Sequence, residues 1–244
     1  MSFNDQYRPG GFGHLPVITK NIIIINVIMY VLKVILEGQG INLDDYFGLH
    51  YHLAPAFKPH QFITYIFMHG SISHLFFNML GVYMFGQVLE QTWGPKRYLI
   101  FYIVTGLGAA LTQYVIMHFQ ISDMLAEANQ QIDSIKNAAE RSDLITQKYD
   151  FINRLNGKVI VGASGSLFGL LGAFGMLFPN QMLYIYFLFP VKAKWLVIAY
   201  GAFELFSGIS NNPGDNVAHF AHIGGLVVGI ILVLLWRKDK ARFS

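Results

Sequence analysis

Six long apolar stretches constrain what this chain can fold into. They cover residues 18–36, 70–90, 97–119, 161–178, 194–210 and 217–236. A helix that crosses a bilayer needs about 20 mostly apolar residues, and these stretches come close to that length. Only 13% of the residues are charged, whereas a soluble domain carries about 25%. The sequence therefore predicts an all-α polytopic membrane protein built as a bundle of six transmembrane helices.

The segments between these stretches predict one membrane domain and two short tails. The domain covers residues 18–236, between a polar N-terminal tail at 1–17 and a basic C-terminal tail at 237–244. A charged insert at 120–158 has apolar residues at loosely helical spacing, which predicts one or two amphipathic helices outside the membrane. Residues 179–193 hold two prolines around an aromatic run and are predicted to form a re-entrant or interfacial connector. The N-terminal tail lacks the apolar core of a signal peptide, so we expect the first helix to be retained.

Lysine and arginine predict the orientation of the bundle. With six spans both termini share one side, and most basic residues outside the insert fall on that side: Arg8, Lys96, Arg97, Lys192, Lys194, Arg237, Lys238, Lys240 and Arg242. The short loops opposite hold only Lys58. Cytoplasmic loops carry the excess of Lys and Arg, so both termini are predicted to be cytoplasmic, in a bacterial-type plasma membrane. The insert conflicts mildly with this assignment, because it places further basic residues on the outer side.

The remaining composition excludes several classes of partner and chemistry. The chain has no cysteine, so disulfides, thiol nucleophiles and cysteine-based zinc sites are excluded. Its net charge of +3 is small and is better explained by membrane orientation than by nucleic-acid binding. No nucleic-acid partner is expected, and the sequence specifies no oligomeric state.

A serine lies between glycines where the fourth apolar stretch begins, in the run Gly162-Ala163-Ser164-Gly165. At a helix N-terminus the backbone N–H groups are unfilled and stabilise developing negative charge, which suits a nucleophilic serine. Glycine and serine also occur in membrane helices simply because they allow close packing. Both interpretations stay open for this motif alone.

A histidine occupies the equivalent place in the last apolar stretch, in Ala221-His222-Ile223-Gly224-Gly225. A neutral imidazole can take a proton from serine and return it to a leaving amine. Gly225 and Gly229 form a small-xxx-small pattern that matches Gly165 and Gly169, so the two helices are predicted to pack closely. The alternative is an interhelical hydrogen bond that only holds the bundle together.

A third polar pair, His74 and Asn78, lies in the second apolar stretch. Residues four apart share one helical face, and both side chains donate hydrogen bonds. Two such donors are what a side-chain oxyanion hole requires. A polar pair that lines a cavity or caps a loop would have the same spacing.

The motifs HxxxN, GxSG and AHxxG, in this order on a six-span core, resemble the rhomboid family of intramembrane serine proteases. Further matches are His69, Glu90 with Trp93-Gly94, and the run Tyr98–Tyr102. The resemblance covers about residues 60–236. It implies a rhomboid-like bundle that cuts the transmembrane segments of other proteins near the outer face of the lipid bilayer.

The resemblance also implies a role for each matching residue. Ser164 would be the nucleophile and His222 its base, while His74, Asn78 and the Ser164 backbone N–H would hold the oxyanion. Gly162 and Gly165 flank the nucleophile. Phe168 stands where the family often has a tyrosine packed on the histidine; it keeps the ring and loses the hydroxyl. We expect no metal and no organic cofactor, because these groups supply nucleophile, base and electrophile.

Other polar residues receive simpler interpretations. Ser166 is predicted to pack, His219 to be a loop histidine rather than a support for His222, and His50, His52 and His60 to be solvated or interfacial. Glu204, inside the fifth apolar stretch, suggests a water pocket or a protonated acid. A third catalytic member is disfavoured, because the family works with a serine–histidine dyad.

Three other functions compete with proteolysis by serine. A metal-dependent intramembrane protease would show HExxH or paired intramembrane aspartates, and neither is present. A transporter would use the same polar residues as a path, but the sequence has no internal repeat to support one. A non-enzymatic relative that binds transmembrane segments would lack the serine or the histidine.

Overall fold

The computed structural model describes residues 15–154, 159–185, 189–210 and 218–242, and these are mostly helical. Over these ranges the chain forms ten α-helices, a two-stranded hairpin, a 3₁₀ turn at Tyr65–Phe67 and a π-helical turn at Val82–Gly86. The helices are α1 Val17–Glu37, α2 Asp44–Phe47, α3 Gln61–Thr64, α4 Ile72–Gly81, α5 Gln87–Trp93, α6 Pro95–Ser134, α7 Ala138–Arg154, α8 Ser164–Leu177, α9 Ala193–Ser210 and α10 His219–Arg242. The strands are β1 Met182–Ile185 and β2 Phe189–Lys192.

Helix α8 lies at the centre of the bundle and packs side by side with α10, with glycines of the two helices in contact. Gly225 of α10 lies against the backbone of Gly165, and a Cβ added at Gly229 would stand 2.8 Å from the carbonyl oxygen of Gly169. The predicted pairing of the two small-residue faces is therefore confirmed. Because both contacts keep the same offset, α8 and α10 run parallel and begin at the same end of the bundle.

Helix α6 runs antiparallel to this pair. Gly165 of α8 faces Ala109 of α6, and Gly169 of α8 faces Thr105 of α6. The facing residue therefore moves back by four positions along α6 as the chain moves forward by four along α8. Along α10 the order is also reversed, since Gly224 faces Thr112 and Val228 faces Gly108. The start of α6 therefore lies at the far end of the bundle from the starts of α8 and α10.

Among the described residues, four helices are long and apolar enough to cross a membrane: Val17–Glu37, Ile72–Trp93, Pro95–Ser134 and His219–Arg237. The second joins α4 and α5 through the π-helical turn. Helix α8 is apolar but has only 14 residues, and α9 has 18 residues. Large apolar side chains on the outside of α1, such as Ile28 and Val31, are exposed, as expected for contact with lipid. The predicted count of six spans stays a prediction.

One boundary differs from the sequence prediction. The third helix does not end at residue 119 but continues as α6 to Ser134, so the first part of the insert belongs to it. Residues 120–134 contain no glycine or proline and are rich in strong helix formers, which keep the helix intact beyond the apolar stretch. The second part of the insert forms α7, and Asn137 accepts a hydrogen bond from Ala139 N at its start.

The predicted connector at 179–193 contains the β-hairpin. Strands β1 and β2 pair antiparallel, with Met182 opposite Lys192 and Tyr184 opposite Pro190. Aromatic and β-branched residues in this run favour strands. In the loop between α2 and α3, His50 is buried and its Nδ1 lies 3.1 Å from the Gly48 carbonyl oxygen. The expectation that His50 is solvated or interfacial is therefore wrong, whereas His52 and His60 are exposed.

The end of the bundle where α6 begins is held by fixed polar and aromatic contacts. The Glu90 carboxylate accepts hydrogen bonds from Ile18 N at 2.9 Å, Thr19 N at 2.7 Å and Thr19 Oγ1 at 2.7 Å. These bonds satisfy free N–H groups in the first turn of α1. At the same end the Arg97 guanidinium lies 4.1 Å from the centre of the Trp236 ring.

Candidate active site

Ser164 is the first residue of α8, and the turn before it depends on glycine. Gly162 has φ of +127°, a conformation that side chains with a Cβ rarely adopt. A Cβ at this position would also stand 2.7 Å from His74 Cε1 and 3.6 Å from Ser164 Oγ. The missing side chain therefore lets the His74 ring approach the serine.

His222 lies in the first turn of α10 and faces the serine across the bundle. Its Nε2 is 2.8 Å from Ser164 Oγ, a hydrogen-bond distance. The Phe168 ring stacks on the imidazole, with the ring centres 4.3 Å apart and the planes at 7°. His222 is 8% exposed, so its ring is held by packing on one side and by polar contacts at both nitrogens.

The second nitrogen of His222 approaches a carboxylate that comes from a different helix. Glu204 of α9 places its Oε2 2.9 Å from His222 Nδ1 and 2.6 Å from His219 Nδ1. The contact with His222 is short, but His222 Nδ1 has no hydrogen-bond partner. It is therefore best described as a close ion-pair contact whenever the imidazole is protonated.

This arrangement corrects the sequence interpretation of two residues. His219 is the first residue of α10, is buried, and contacts Glu204, so the interpretation as a loop histidine is wrong. Glu204 is 4% exposed and meets two imidazoles rather than a water pocket. The signal that pointed to it was a carboxylate within an apolar stretch, but the sequence did not identify its partners.

In the described part of the chain, one group of side chains has ligand atoms close enough together for a metal ion. It consists of Glu204, His219 and His222, whose ligand atoms lie within 4.8 Å of one another. Tetrahedral zinc with bonds of about 2.0–2.1 Å would hold neighbouring ligand atoms about 3.3 Å apart. The observed N–O separations of 2.6 and 2.9 Å are shorter. They fit direct imidazole–carboxylate contacts better than a metal centre.

His74 and Asn78 lie one turn apart on α4, which contacts α8. Ser71 caps this helix by accepting a hydrogen bond from His74 N at 3.1 Å. Asn78 is 4% exposed, and its buried Nδ2 has no hydrogen-bond partner. A buried amide donor without a partner is costly, and it is available to an oxygen atom of a ligand.

His69 packs edge-on against His74, with the ring centres 5.1 Å apart. It is fully buried, and neither of its ring nitrogens has a hydrogen-bond partner. Burial, followed by the neighbouring His74 and Lys33, lowers the pKa of His69 to about 3. His69 is therefore neutral near pH 7 and adds no positive charge beside His74.

The structure brings together Ser164, His222, Phe168, Gly162 and His74, and places Asn78 on the same helix as His74. Gly165 serves the packing of α8 against α6 and α10 rather than the polar group itself. Ser166 faces away and donates a hydrogen bond to the Tyr102 carbonyl oxygen at 2.8 Å. The polar group has the elements of nucleophilic catalysis, namely a hydroxyl, an adjacent base, and a third group beyond that base.

Comparisons with known proteins point to one family. A family model described as "Rhomboid domain" matches residues 56–239. Similar proteins include "Putative rhomboid protease YdcA" of Bacillus subtilis, 26% identical over 75% of this chain and 69% of its own length, and "Rhomboid protease AarA" of Providencia stuartii, 24% identical over 90% and 72%. "RHOMBOID-like protein 12, mitochondrial" of Arabidopsis thaliana is 28% identical over 75% of this chain, which spans 48% of that longer protein.

Proposed function

The chain is an integral membrane protein that belongs to the rhomboid family, and on this basis we propose that it is an intramembrane serine endopeptidase. The observation that carries the proposal is the 2.8 Å contact between Ser164 Oγ and His222 Nε2, at the beginning of two parallel helices. Family membership alone does not imply activity, because a fold hosts functions only through its sites. The close contact between a hydroxyl and a base is what supports chemistry here.

In the proposed reaction Ser164 Oγ attacks the carbonyl carbon of a peptide bond while His222 Nε2 takes its proton. The carbonyl π electrons move to the oxygen, and a tetrahedral intermediate forms. When the C–N bond breaks, the protonated His222 gives its proton to the leaving amine. Water, activated by the same imidazole, then hydrolyses the acyl-enzyme.

The negative oxygen of the intermediate needs donors that are already in place. Asn78 Nδ2 is a buried donor without a partner, and the His74 ring reaches the Gly162–Ser164 turn. The backbone N–H of Ser164 lies at the helix N-terminus, where such groups have no partner within the helix. We assign these three donors to the oxyanion hole.

The proposed substrates are transmembrane segments of other proteins, cut near the outer face of the membrane. Arg97 and Arg237 lie at the end of the bundle opposite Ser164, where Arg237 Nη2 donates a hydrogen bond to the Met176 carbonyl oxygen at 2.8 Å. Basic residues favour the cytoplasmic side, so the serine end faces outward and both termini face the cytoplasm. The proposed location is a bacterial-type plasma membrane.

A helical substrate must enter from the side and unwind, because in lipid its backbone is fully paired. We propose that the substrate enters along the exposed face of α9 in this bundle of six spans, while Glu204 on the buried face stays against α10. Much of the surface of α9 is apolar and exposed, including Phe203 and Phe206, and α9 follows the hairpin rather than a packed helix. We propose no metal or organic cofactor for the reaction, since the side chains supply each chemical role.

The test is cleavage of a model transmembrane substrate by the full-length protein in liposomes. The wild type is expected to cut it, and Ser164→Ala and His222→Ala are each expected to lose at least about 10⁴-fold in kcat. Ser166→Ala is the matched control, because Ser166 lies two residues away and bonds only to the α6 backbone. Cleavage by Ser164→Ala at the wild-type rate would contradict the proposal.

A further inference from the structure

The contact between Glu204 and His222 goes beyond a serine–histidine dyad. Resting on the function proposed above, we propose that Glu204 is a positioning residue that holds the His222 imidazole in its reactive orientation and stabilises the imidazolium formed when Ser164 attacks. The group then works as a serine–histidine–glutamate triad. The carboxylate comes from α9, the histidine from α10 and the serine from α8.

The first argument is the line of contacts through one imidazole. His222 Nε2 lies 2.8 Å from Ser164 Oγ, and His222 Nδ1 lies 2.9 Å from Glu204 Oε2. An ionised carboxylate only accepts hydrogen bonds. The negative charge of this nearby oxygen attracts a proton on Nδ1 and repels a lone pair there. It therefore favours the tautomer with its proton on Nδ1, which leaves the Nε2 lone pair directed at the serine hydroxyl.

The second argument is the charge that develops during the reaction. The proton leaves Ser164 Oγ and binds His222 Nε2, so the imidazole becomes a cation inside a bundle with few charges. An anionic oxygen of Glu204 lies 2.9 Å from Nδ1 and stabilises this positive charge. In surroundings of low dielectric constant this attraction is stronger than it would be in water. The carboxylate stays ionised and takes no proton itself.

The third argument is that the carboxylate is itself held in place. His219 Nδ1 lies 2.6 Å from the same Oε2, and the His219 and His222 rings meet edge to face, with centres 6.4 Å apart and planes at 87°. Glu204 is 4% exposed, and a buried carboxylate needs polar partners. His219 thus holds the Glu204 carboxylate in the position from which it contacts His222.

A purely structural role is the competing explanation, because the same contacts join α9 to α10. The two roles separate in kinetics. A structural tie affects the stability of the fold, whereas a positioning carboxylate affects kcat and the reactivity of Ser164 towards a small probe that needs no transmembrane binding. Neither role requires a change in KM.

The experiment compares the wild type with Glu204→Gln and Glu204→Asp in liposomes, and Glu90→Gln serves as the matched control. Glu90 is equally buried, at 4% exposure, but its partners are backbone and threonine groups. We expect Glu204→Gln to lower kcat about 100-fold and to slow fluorophosphonate labelling by a similar factor, with KM unchanged. Glu204→Asp keeps the charge and should recover part of the loss. Glu90→Gln should keep the wild-type kcat.

The outcomes distinguish this inference from the proposed function. If the wild type cleaves and Glu204→Gln matches its kcat and labelling rate, the positioning role is wrong while the protease assignment stands. If the wild type neither cleaves nor reacts with the probe, both are wrong. Should Glu204→Gln not fold, proton NMR of the wild-type phosphonate adduct decides. A far-downfield Nδ1 proton on His222 supports the carboxylate contact, and its absence overturns it.

Discussion

Two buried carboxylates at opposite ends of the bundle show how similar surroundings serve different purposes. Glu90 and Glu204 are each 4% exposed. Glu90 accepts hydrogen bonds from Ile18 N, Thr19 N and Thr19 Oγ1, none of which changes protonation near neutral pH. Glu204 contacts two imidazoles, one of which reaches a serine hydroxyl. Burial alone therefore does not distinguish a structural carboxylate from one that takes part in chemistry; the partners do.

The two ends of the bundle also differ in whether their buried polar groups have hydrogen-bond partners. Both oxygens of Glu90 are used by donors that tie α1 to α5. Near Ser164, by contrast, the buried amide nitrogen of Asn78 and both ring nitrogens of His69 have no hydrogen-bond partner. An unsatisfied buried group costs about 1–3 kcal/mol. A site that binds and stabilises a reacting oxygen gains from such donors, whereas a helix cap does not.

The largest predicted loss of kcat that bears on this comparison comes from removing the proposed oxyanion donors. Asn78→Ala and His74→Ala are each expected to lower kcat about 100- to 1,000-fold, or roughly 3–4 kcal/mol, because one oxyanion donor is lost. Steady-state cleavage of the transmembrane substrate measures this. Asn26→Ala is the control, since Asn26 is buried in α1 and donates to the Ile22 carbonyl oxygen. Wild-type turnover in both site variants would reassign the pair to structure.

The second effect concerns the structural carboxylate. Glu90→Gln places an amide group where three donors converge, so it should lower the free energy of unfolding by about 1–3 kcal/mol. Thermal unfolding in detergent micelles measures the change, and kcat should stay at the wild-type value. A large loss of kcat without a loss of stability would break the comparison, because Glu90 would then act on the reaction.

A third effect, spread over several pH units, is a dependence of stability on pH through His69. Its pKa is about 3 in the folded protein and about 6.5 in an unfolded chain. The unfolded state therefore binds more protons between these values, and stability falls as the pH decreases, by up to about 1.4 kcal/mol per pH unit. His69→Phe should flatten this decline in unfolding experiments between pH 6.5 and 4. An unchanged slope in the variant would show that His69 does not cause the decline.

Much of this arrangement could be predicted from the sequence, because it follows from local patterns. The matching glycine spacing in α8 and α10 predicted that the two helices pack face to face, and the structure confirms it. Ser164 and His222 open the fourth and the sixth apolar stretches, which begin on the same side of a bundle of six spans, so the sequence also placed them at the same end. Both predictions depend on the position along a helix and on the direction of the helix, which short motifs specify.

The missed features depend on distance between segments or on where a helix ends. Glu204 and His219 are 15 residues apart in sequence, and nothing local indicates that α9 and α10 bring them together. Helix α6 continues past residue 119 because apolar composition marks the edge of the bilayer rather than the end of a helix. His50 is buried because the first loop folds back on the bundle, which its polar composition did not indicate.

Labelling with a fluorophosphonate probe tests the central claim most directly, because it reads the reactivity of Ser164 without any assumption about substrate. The full-length protein is treated in liposomes, digested, and the modified residue is identified by mass spectrometry. We predict that the wild type is modified on Ser164, that Ser166→Ala is modified at the same rate, and that Ser164→Ala and His222→Ala are not labelled. Equal labelling of Ser164→Ala and the wild type, or no labelling of a folded wild type, would contradict the account.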